Sequence, residues 1–394
     1  MQVSRRLREL TPGSDGWEVF NRARAMAEAG LPVIELTIGE HDIGTDPSIL
    51  EAMHRAACAG HTGYAAIPGT DSLRDAVAAR VAARTGIDTG RDNVVITSGA
   101  QSGLIAAHMA TCDPGDTALY IDPFYATYPG TIRAVGAVDH AVEAHPEDGF
   151  QPDAARIDAA ARATGATSLM INSPHNPTGV VYSRETLTAI AEVCQARGLW
   201  LISDEVYDTQ VWDGVHISPR TLPGMADRAL VVGSMSKSHA MTGSRIGWIV
   251  GPKAAIAHLM NLSTHTTYGV PGYIQDAAEY ALAQGDALEK AVGAPFRRRR
   301  AAVLEILSGS TVVRAAPPDG AMYVMLDIRA TGLSGREFAE ALLDAEQIGV
   351  MPGESFGRAA AGHIRVALTV EDSRLLDAFS RIVAFAERNA ADAA

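Results

Sequence analysis

Three cysteines in 394 residues, Cys58, Cys112 and Cys194, are too few and too far apart for a disulfide framework. The chain has no C-x-x-C, which fits a reducing compartment. Each cysteine sits in an apolar, helix-like context, so buried packing is the expected role. Positive charge is also short: 33 Lys and Arg stand against 46 Asp and Glu, a formal net charge of −13. A nucleic-acid binder needs a basic surface, so that class is excluded. The basic run Arg297–Arg300 lies in an Ala-rich helical stretch and is expected to form a solvated helix face. No apolar run is long enough to cross a bilayer. "MQVSRRLREL" is followed by no apolar stretch of the kind a signal peptide carries. A soluble, cytoplasmic protein with neither membrane nor nucleic-acid partners is expected. A G-x-G-x-x-G after a strand is missing, which argues against a nicotinamide-binding dehydrogenase. Ligand pairs at metal-binding spacing are missing too, so no metal is expected.

What is present is apolar and regular. Apolar residues make up 47% and charged residues 20%, enough for a substantial core. The length suits two packed units, or one large α/β unit with a satellite. Short apolar runs read as strands: "NVVIT" (93–97), "ALYID" (118–122), "SLMIN" (168–172), "LWLIS" (199–203) and "ALVVG" (229–233), with "RIGWIVG" (245–251) as a further one. Helical patterns such as "GLIAAHMA" and "ETLTAIAEVCQARG" lie between several of them. Strands apolar on both faces and alternating with helices predict a mostly parallel sheet covered on both sides. After about residue 285 the texture changes to an α+β unit containing "AMYVMLDI", "GREFAEALLDAE" and "HIRVAL". The N-terminal segment has no partner of its own and is expected to pack there. The expected division is a large domain over 46–285 and a small discontinuous one from 1–45 with 286–394.

Ligands in such sheets bind beyond the carboxyl ends of the strands. Those ends carry a chemically coherent set here. "TSGAQSG" turns through Gly99 into a helix whose free N–H groups, around Ala100 and Gln101, favour a phosphate. "DPFYATYPG" offers Tyr125 as a flat aromatic surface. "NSPHNPTG" holds Asn176 in a turn. "SDEVY" delivers Asp204, Glu205 and Tyr207. "GSMSKSHAMTGSRIGW" delivers Ser234, Ser236 and Lys237, with Arg245 following. A lysine in a poorly solvated pocket has a lowered pKa and can attack a carbonyl to form a Schiff base. Hydroxyls, helix N–H groups and an arginine suit a phosphate. A carboxylate can keep a pyridine nitrogen protonated, so that the ring accepts electrons. A phenol and an amide can bond a ring hydroxyl, and an aromatic can stack on the ring. The set predicts pyridoxal 5'-phosphate.

The stretches "LTIGEHDIGTDP", "GYAAIPGTDSLRDAV", "TSGAQSGL", "DPFYATYPG", "NSPHNPTGVVYS", "ISDEVYDTQVW", "SMSKSHAMTGSRIGW", "PPDGAMYVMLD", "MPGESFG" and "HIRVAL" run almost end to end. In this order they resemble the class I/II, fold-type I aminotransferases of the aspartate aminotransferase superfamily. The resemblance implies an α/β PLP-transferase fold, with a seven-stranded-type sheet in the large domain. It implies that an amino group moves from an L-amino acid to a 2-oxo acid by a ping-pong route. By it, Lys237 forms the Schiff base and moves a proton, and Asp204 pairs with the ring nitrogen. Tyr207 and Asn176 bond the ring oxygen, and Tyr125 stacks on the ring. Ser234, Ser236 and Arg245, with backbone at Gly99–Gln101, hold the phosphate. Arg365 and Gly39 take the substrate α-carboxylate, although "HIRVAL" by itself equally suits an exposed edge arginine. Tyr64 reaches the phosphate of a neighbouring subunit, which implies a homodimer with shared sites.

The chain also departs from the family pattern. His41 stands where proline is usual, and His239 and Ser244 stand near positions that are usually aromatic or bulky. These changes are expected to reshape the substrate side of the pocket or leave His41 on a surface loop. Some aspartate-using members carry a lysine where this chain has Ala100, so neutral or aromatic donors are expected to exceed aspartate. 2-Oxoglutarate then needs an arginine from the neighbouring subunit or a mobile loop. A C–S β-lyase of the same fold would keep every cofactor residue. A non-enzymatic regulator would need a DNA-binding module ahead of the matching region, where the chain is short and not basic enough.

Overall fold

The structure is a computed structural model that describes residues 2–10 and 17–393. Residues 1, 11–16 and 394, which the expected small domain includes, lie outside the described residues.

A short strand, β1 (Ile34–Glu35), precedes the main sheet. That sheet contains β2 (Val94–Thr97), β3 (Thr117–Asp122), β4 (Val138–Glu143), β5 (Ser168–Asn172), β6 (Trp200–Asp204), β7 (Ala229–Ser234) and β8 (Gly247–Val250). The spatial order is β2-β8-β7-β6-β5-β3-β4, and only β8 runs against the rest. β5, β6 and β7 are buried along almost their whole length, which is why they read as continuous apolar runs. β4 was not foreseen. It is one of the two edge strands, mostly exposed, and its polar Asp139, His140 and Glu143 break any apolar run.

The helices carry ordinary punctuation. The helix Arg184–Arg197 begins at Ser183, whose hydroxyl accepts the Thr186 N–H at 3.0 Å, and ends at Gly198 with φ of 69°. Leu187, Ile190, Ala191 and Cys194 form its buried stripe.

A second sheet follows, built from β9 (Arg314–Ala315), β10 (Tyr323–Asp327), β12 (Met351–Pro352) and β13 (His363–Ala367), while β11 (Ile348–Gly349) pairs with β1. Its order is β12-β13-β10-β9, all antiparallel. β13 therefore lies inside the sheet, with Arg365 between Met325 and Met351 and only 2% exposed. The edge-arginine alternative is overturned. One apolar core gathers Val19, Ala23, Ile34 and Leu36 with β10, β13 and the C-terminal helix, so the N-terminal segment packs onto this second unit.

Two expectations need correction. The run Arg297–Arg300 is not a solvated face. Four successive residues span most of a helix's circumference and cannot share one side. Within the helix Ala287–Ser308, Arg299 is 5% exposed and bridges Asp42, at 2.6 Å, and Asp372, at 2.8 Å. Arg297 donates to the carbonyls of Val211 and Trp212 and lies over the Trp212 ring, and Arg300 donates to the Pro318 carbonyl at 2.7 Å. Arg297 and Arg298 both remain exposed, and Arg298 pairs with Asp372 at 2.6 Å. Cys58 is the other correction: it is exposed, whereas Cys112 and Cys194 are buried as expected. In the helix Pro47–Cys58, Ile49 and Ala52 mark the buried side. Cys58 follows Ile49 by two and a half turns and points the opposite way.

No helix among the described residues is long and apolar enough to cross a membrane.

Candidate active site

Sheet register brings the strand ends together. Asn172 stands opposite Asp204, Asp204 opposite Val232, and Ser234 opposite Gly247. Beyond them opens a cavity of about 330 Å³. Its lining includes Gly39, Ala100, Gln101, Tyr125, Asn176, Asp204, Tyr207, Ser234, Ser236, Lys237, Arg245 and Arg365. Gly99 sits beside them at the start of the helix Gly99–Thr111, with φ of +76° and its open side against the Arg245 guanidinium. A Cβ there would lie 2.4 Å from Arg245 Nη2, and the left-handed backbone conformation is what favours glycine. Arg245 is held by the Thr242 carbonyl at 2.8 Å. Helix N–H groups, two serines and a guanidinium thus converge on one corner.

Asp204 is almost fully buried. Its carboxylate accepts the Tyr128 hydroxyl at 2.7 Å and the Val206 N–H at 3.2 Å. Burial pushes its pKa up to about 6, against the pull of those two hydrogen bonds. An acid held this way gains most from a cationic partner. Tyr125 packs edge-on to Tyr128 with ring centroids 5.7 Å apart, and the Tyr207 and Tyr323 hydroxyls lie 3.1 Å apart. The Ser234 hydroxyl caps the short turn Met235–Ser238, accepting the Ser236 N–H at 3.0 Å.

Lys237 lies within that turn, with its ammonium on the Gly39 carbonyl. Burial lowers its pKa; Tyr323 and Glu40 oppose the shift, while Arg365 and Arg245 add to it. Its own carbonyl receives His41 Nε2 at 3.0 Å and Gln210 Nε2 at 3.1 Å, which fixes the lysine backbone. His41 therefore lies on a loop whose neighbours Glu40, Asp42, Ile43 and Gly44 are exposed, but its side chain turns inward without lining the cavity. It is largely enclosed, packs edge-on to Phe296 at 5.4 Å, and has its pKa lowered to about 4 by burial and then by the Lys237 charge. His239 and Ser244 do not line the cavity either.

The opposite wall comes from distant segments. Arg365 donates to Asn176 Oδ1 at 2.9 Å and to the Thr37 carbonyl, while its Nε has no partner. Its guanidinium is sandwiched between Tyr323, at 4.4 Å, and Phe356, at 4.3 Å. At Gly39 a Cβ would collide with the Tyr323 hydroxyl at 1.7 Å. Tyr64 is apart from all of this. It is 92% exposed and rests on Tyr268, outside its own chain's cavity.

A family model described as aminotransferase class I and II matches residues 32–382. The chain belongs to the class I and II aminotransferases. It is 43% identical to an arginine–pyruvate transaminase of Pseudomonas aeruginosa over 371 residues, 94% of each chain. It is 34% identical to an aspartate/prephenate aminotransferase of Thermus thermophilus, covering 97% of this chain and 98% of that one. An aspartate aminotransferase structure from Thermus thermophilus with maleate superposes with a TM-score of 0.91 at 33% identity, covering 98% of this chain and all of that one. The fold-type I architecture and a pyridoxal-phosphate-dependent transaminase activity follow from this membership.

Several residues of the pocket escaped the sequence reading. Tyr128, the partner of Asp204, lies three residues after Tyr125 in the same motif and reaches the site from the first turn of a helix. Tyr323 sits inside "AMYVMLD", where it reads as one more core residue. Glu40, Asn172, Val206 and Thr242 also line the cavity.

Proposed function

We propose that this chain transfers the amino group of a neutral or basic L-amino acid to a short 2-oxo acid such as pyruvate. The observation that carries the donor class is the charge on the pocket wall. Among the described residues the cations lining the cavity are Lys237, Arg245 and Arg365, and Glu40 adds an exposed carboxylate. All three cations have assignments below, so a distal carboxylate on the donor would find no partner charge and would lose its hydration. Ala100 offers none. An arginine–pyruvate transaminase stands among the relatives, which supports the reading.

The residues present fit pyridoxal phosphate. Arg245, Ser234, Ser236 and the N–H groups at Gly99, Ala100 and Gln101 would hold the phosphate. Asp204 would keep a proton on the ring nitrogen, oriented by Tyr128. Tyr207 and Asn176 would bond the ring oxygen, and Tyr125 would cover one ring face. Bound there, the cofactor supplies a sink for the electron pair left on the substrate Cα. Lys237 carries the proton away from Cα, and its desolvation keeps a larger share of the amine neutral and basic. Arg365, with the backbone at Gly39, takes the α-carboxylate as a planar fork and aligns the Cα–H bond. Burial removes competing water from that fork. We further propose a homodimer in which Tyr64 reaches the partner's phosphate site, and a division into 46–285 and 1–45 with 286–394.

The test is kcat/KM for arginine, methionine, leucine, phenylalanine and aspartate at one fixed pyruvate concentration. Arginine or a neutral donor is expected to exceed aspartate at least tenfold. An advantage for aspartate would mean that another cation reads its side chain.

A further inference from the structure

Behind the sheet from the active site lies a second cavity of about 350 Å³. The two share a wall. Asp204 and Ser234 line the first, and their chain neighbours Glu205 and Gly233 line the second. The lining of the second cavity combines apolar residues, among them Val81, Val215 and Trp248, with arginines, acids and His216.

Most of that charge is already matched. Arg80 pairs with Asp208 at 2.9 Å and Glu289 at 3.0 Å, and Arg84 pairs with Asp208 at 3.0 Å and also with Glu289. Glu205 accepts from Ser203 at 3.0 Å and Ser218 at 2.8 Å, and it meets His216 Nε2 at 3.0 Å. Burial is the largest influence on His216 and opposes its charge, but Glu205 and Asp208 together outweigh it and raise the pKa.

Arg220 is the exception. It is 2% exposed, its Nε and Nη1 have no hydrogen-bond partner, and no carboxylate forms an ion pair with it among the described residues. His216 Nδ1 is likewise buried without a partner on the same cavity. A buried guanidinium with two open donors is costly unless an acceptor meets it. Arg220 also borders a hollow on its other side, but there Asp88 and Asp227 would repel an anion.

We propose that this cavity is a binding site for a small monoanion with an apolar body, a carboxylate held by Arg220 and His216 against Trp248 and the valines. The volume suits a ligand of that size. One cation without an ion pair sets the charge, and apolar residues lining the same cavity as the two donors set the chemistry of the body. Because Glu205 and Gly233 adjoin Asp204 and Ser234, occupancy lies one residue from the proposed cofactor contacts.

The probe is 3-phenylpropionate, which has neither an amino nor an oxo group to exchange. It is titrated calorimetrically into the holoenzyme with and without saturating amino donor. One equivalent per chain that the donor does not displace is expected. Arg220→Met should abolish that equivalent while kcat and the cofactor's visible absorbance stay unchanged. Val215→Glu, at an exposed position on the lip, should weaken it at least tenfold and decides the matter if Arg220→Met does not fold. The proposal is overturned if the donor displaces every bound equivalent, or if Val215→Glu leaves the undisplaced one intact.

Discussion

The two walls of the active site are built differently. The wall assigned to the cofactor is made of neighbouring strand ends: Asn172, Asp204 and Ser234 close β5, β6 and β7 side by side. Sheet register places them, and each motif is local to a few residues. The wall assigned to the substrate is made of segments far apart in the chain. Lys237 meets Gly39 across 198 positions, and Arg365 meets Thr37 across 328. The first wall is as firm as the buried sheet. The second exists only while the N-terminal segment is docked, which Arg299 assists by bridging Asp42 and Asp372. Substitutions in the first wall should therefore damage chemistry for every substrate, and those in the second should act on binding.

The strongest break of that contrast is Lys237→Ala. It follows β7 in the first wall and reaches across to Gly39 in the second, and its loss should lower single-turnover transamination by about 10⁴-fold, the upper reach of one positioned proton-transfer group. The cofactor's pH-sensitive absorption band should be lost while the fold remains. Near-native turnover would remove the catalytic assignment altogether.

Asp204→Ala should slow the same step by roughly 10²–10³-fold, in line with loss of one preorganised electrostatic contact. Asp204 also offers a stability measurement without turnover. In the cofactor-free protein its pKa is raised from 3.8 to about 6. Below pH 3.8 the folded and unfolded states both hold the proton, so the carboxyl costs nothing. As the pH rises the unfolded state ionises first, and stability falls until both states are ionised above about pH 6. The full loss is about 3 kcal/mol in order of magnitude. Asp204→Asn should thus stabilise the apo protein above pH 6 and not below pH 4, as read by Tm. Pyridoxal phosphate should reverse the ranking. Equal Tm differences at both pH values would show that Asp204 is not a desolvated acid.

The same contrast explains what the sequence disclosed. Six of the seven main strands were legible because a strand buried on both faces, whether parallel or, like β8, antiparallel, is a short apolar run. β4 was hidden by its polar edge face. The groups at strand ends were legible because strand, turn and side chain lie within one short stretch. Tyr323 and Glu40 were not, since nothing local distinguishes them from a core tyrosine and a loop acid. The Arg297–Arg300 run misled because a charge run says nothing about which helix faces meet Asp42, Asp372 and Trp212.

Arg365→Lys tests the second wall. A lysine keeps the charge but loses the planar fork. The loss of a charge-assisted pair is worth roughly 1.5–3 kcal/mol, or about 10–150-fold in KM. KM should rise for all amino acids and 2-oxo acids together, with the order among donors preserved. An effect confined to one class of donor would move Arg365 to the side-chain end of the pocket.

The smallest effect belongs to Glu40→Gln, which separates reading the side chain from holding the α-carboxylate. Glu40 is exposed, lines the cavity and accepts the Thr242 hydroxyl at 3.1 Å. Its charge is screened by water, so an ion pair with a donor guanidinium is worth about 0.2–1 kcal/mol. That range converts to at most about fivefold in kcat/KM. Arginine should lose that much and alanine almost nothing, because alanine does not extend toward Glu40. High salt should shrink the arginine effect in the wild type and leave the variant unchanged, since only the wild type has a pair to screen. An equal loss for arginine and alanine would instead mean that Glu40 acts on Lys237, whose pKa its charge helps to hold up.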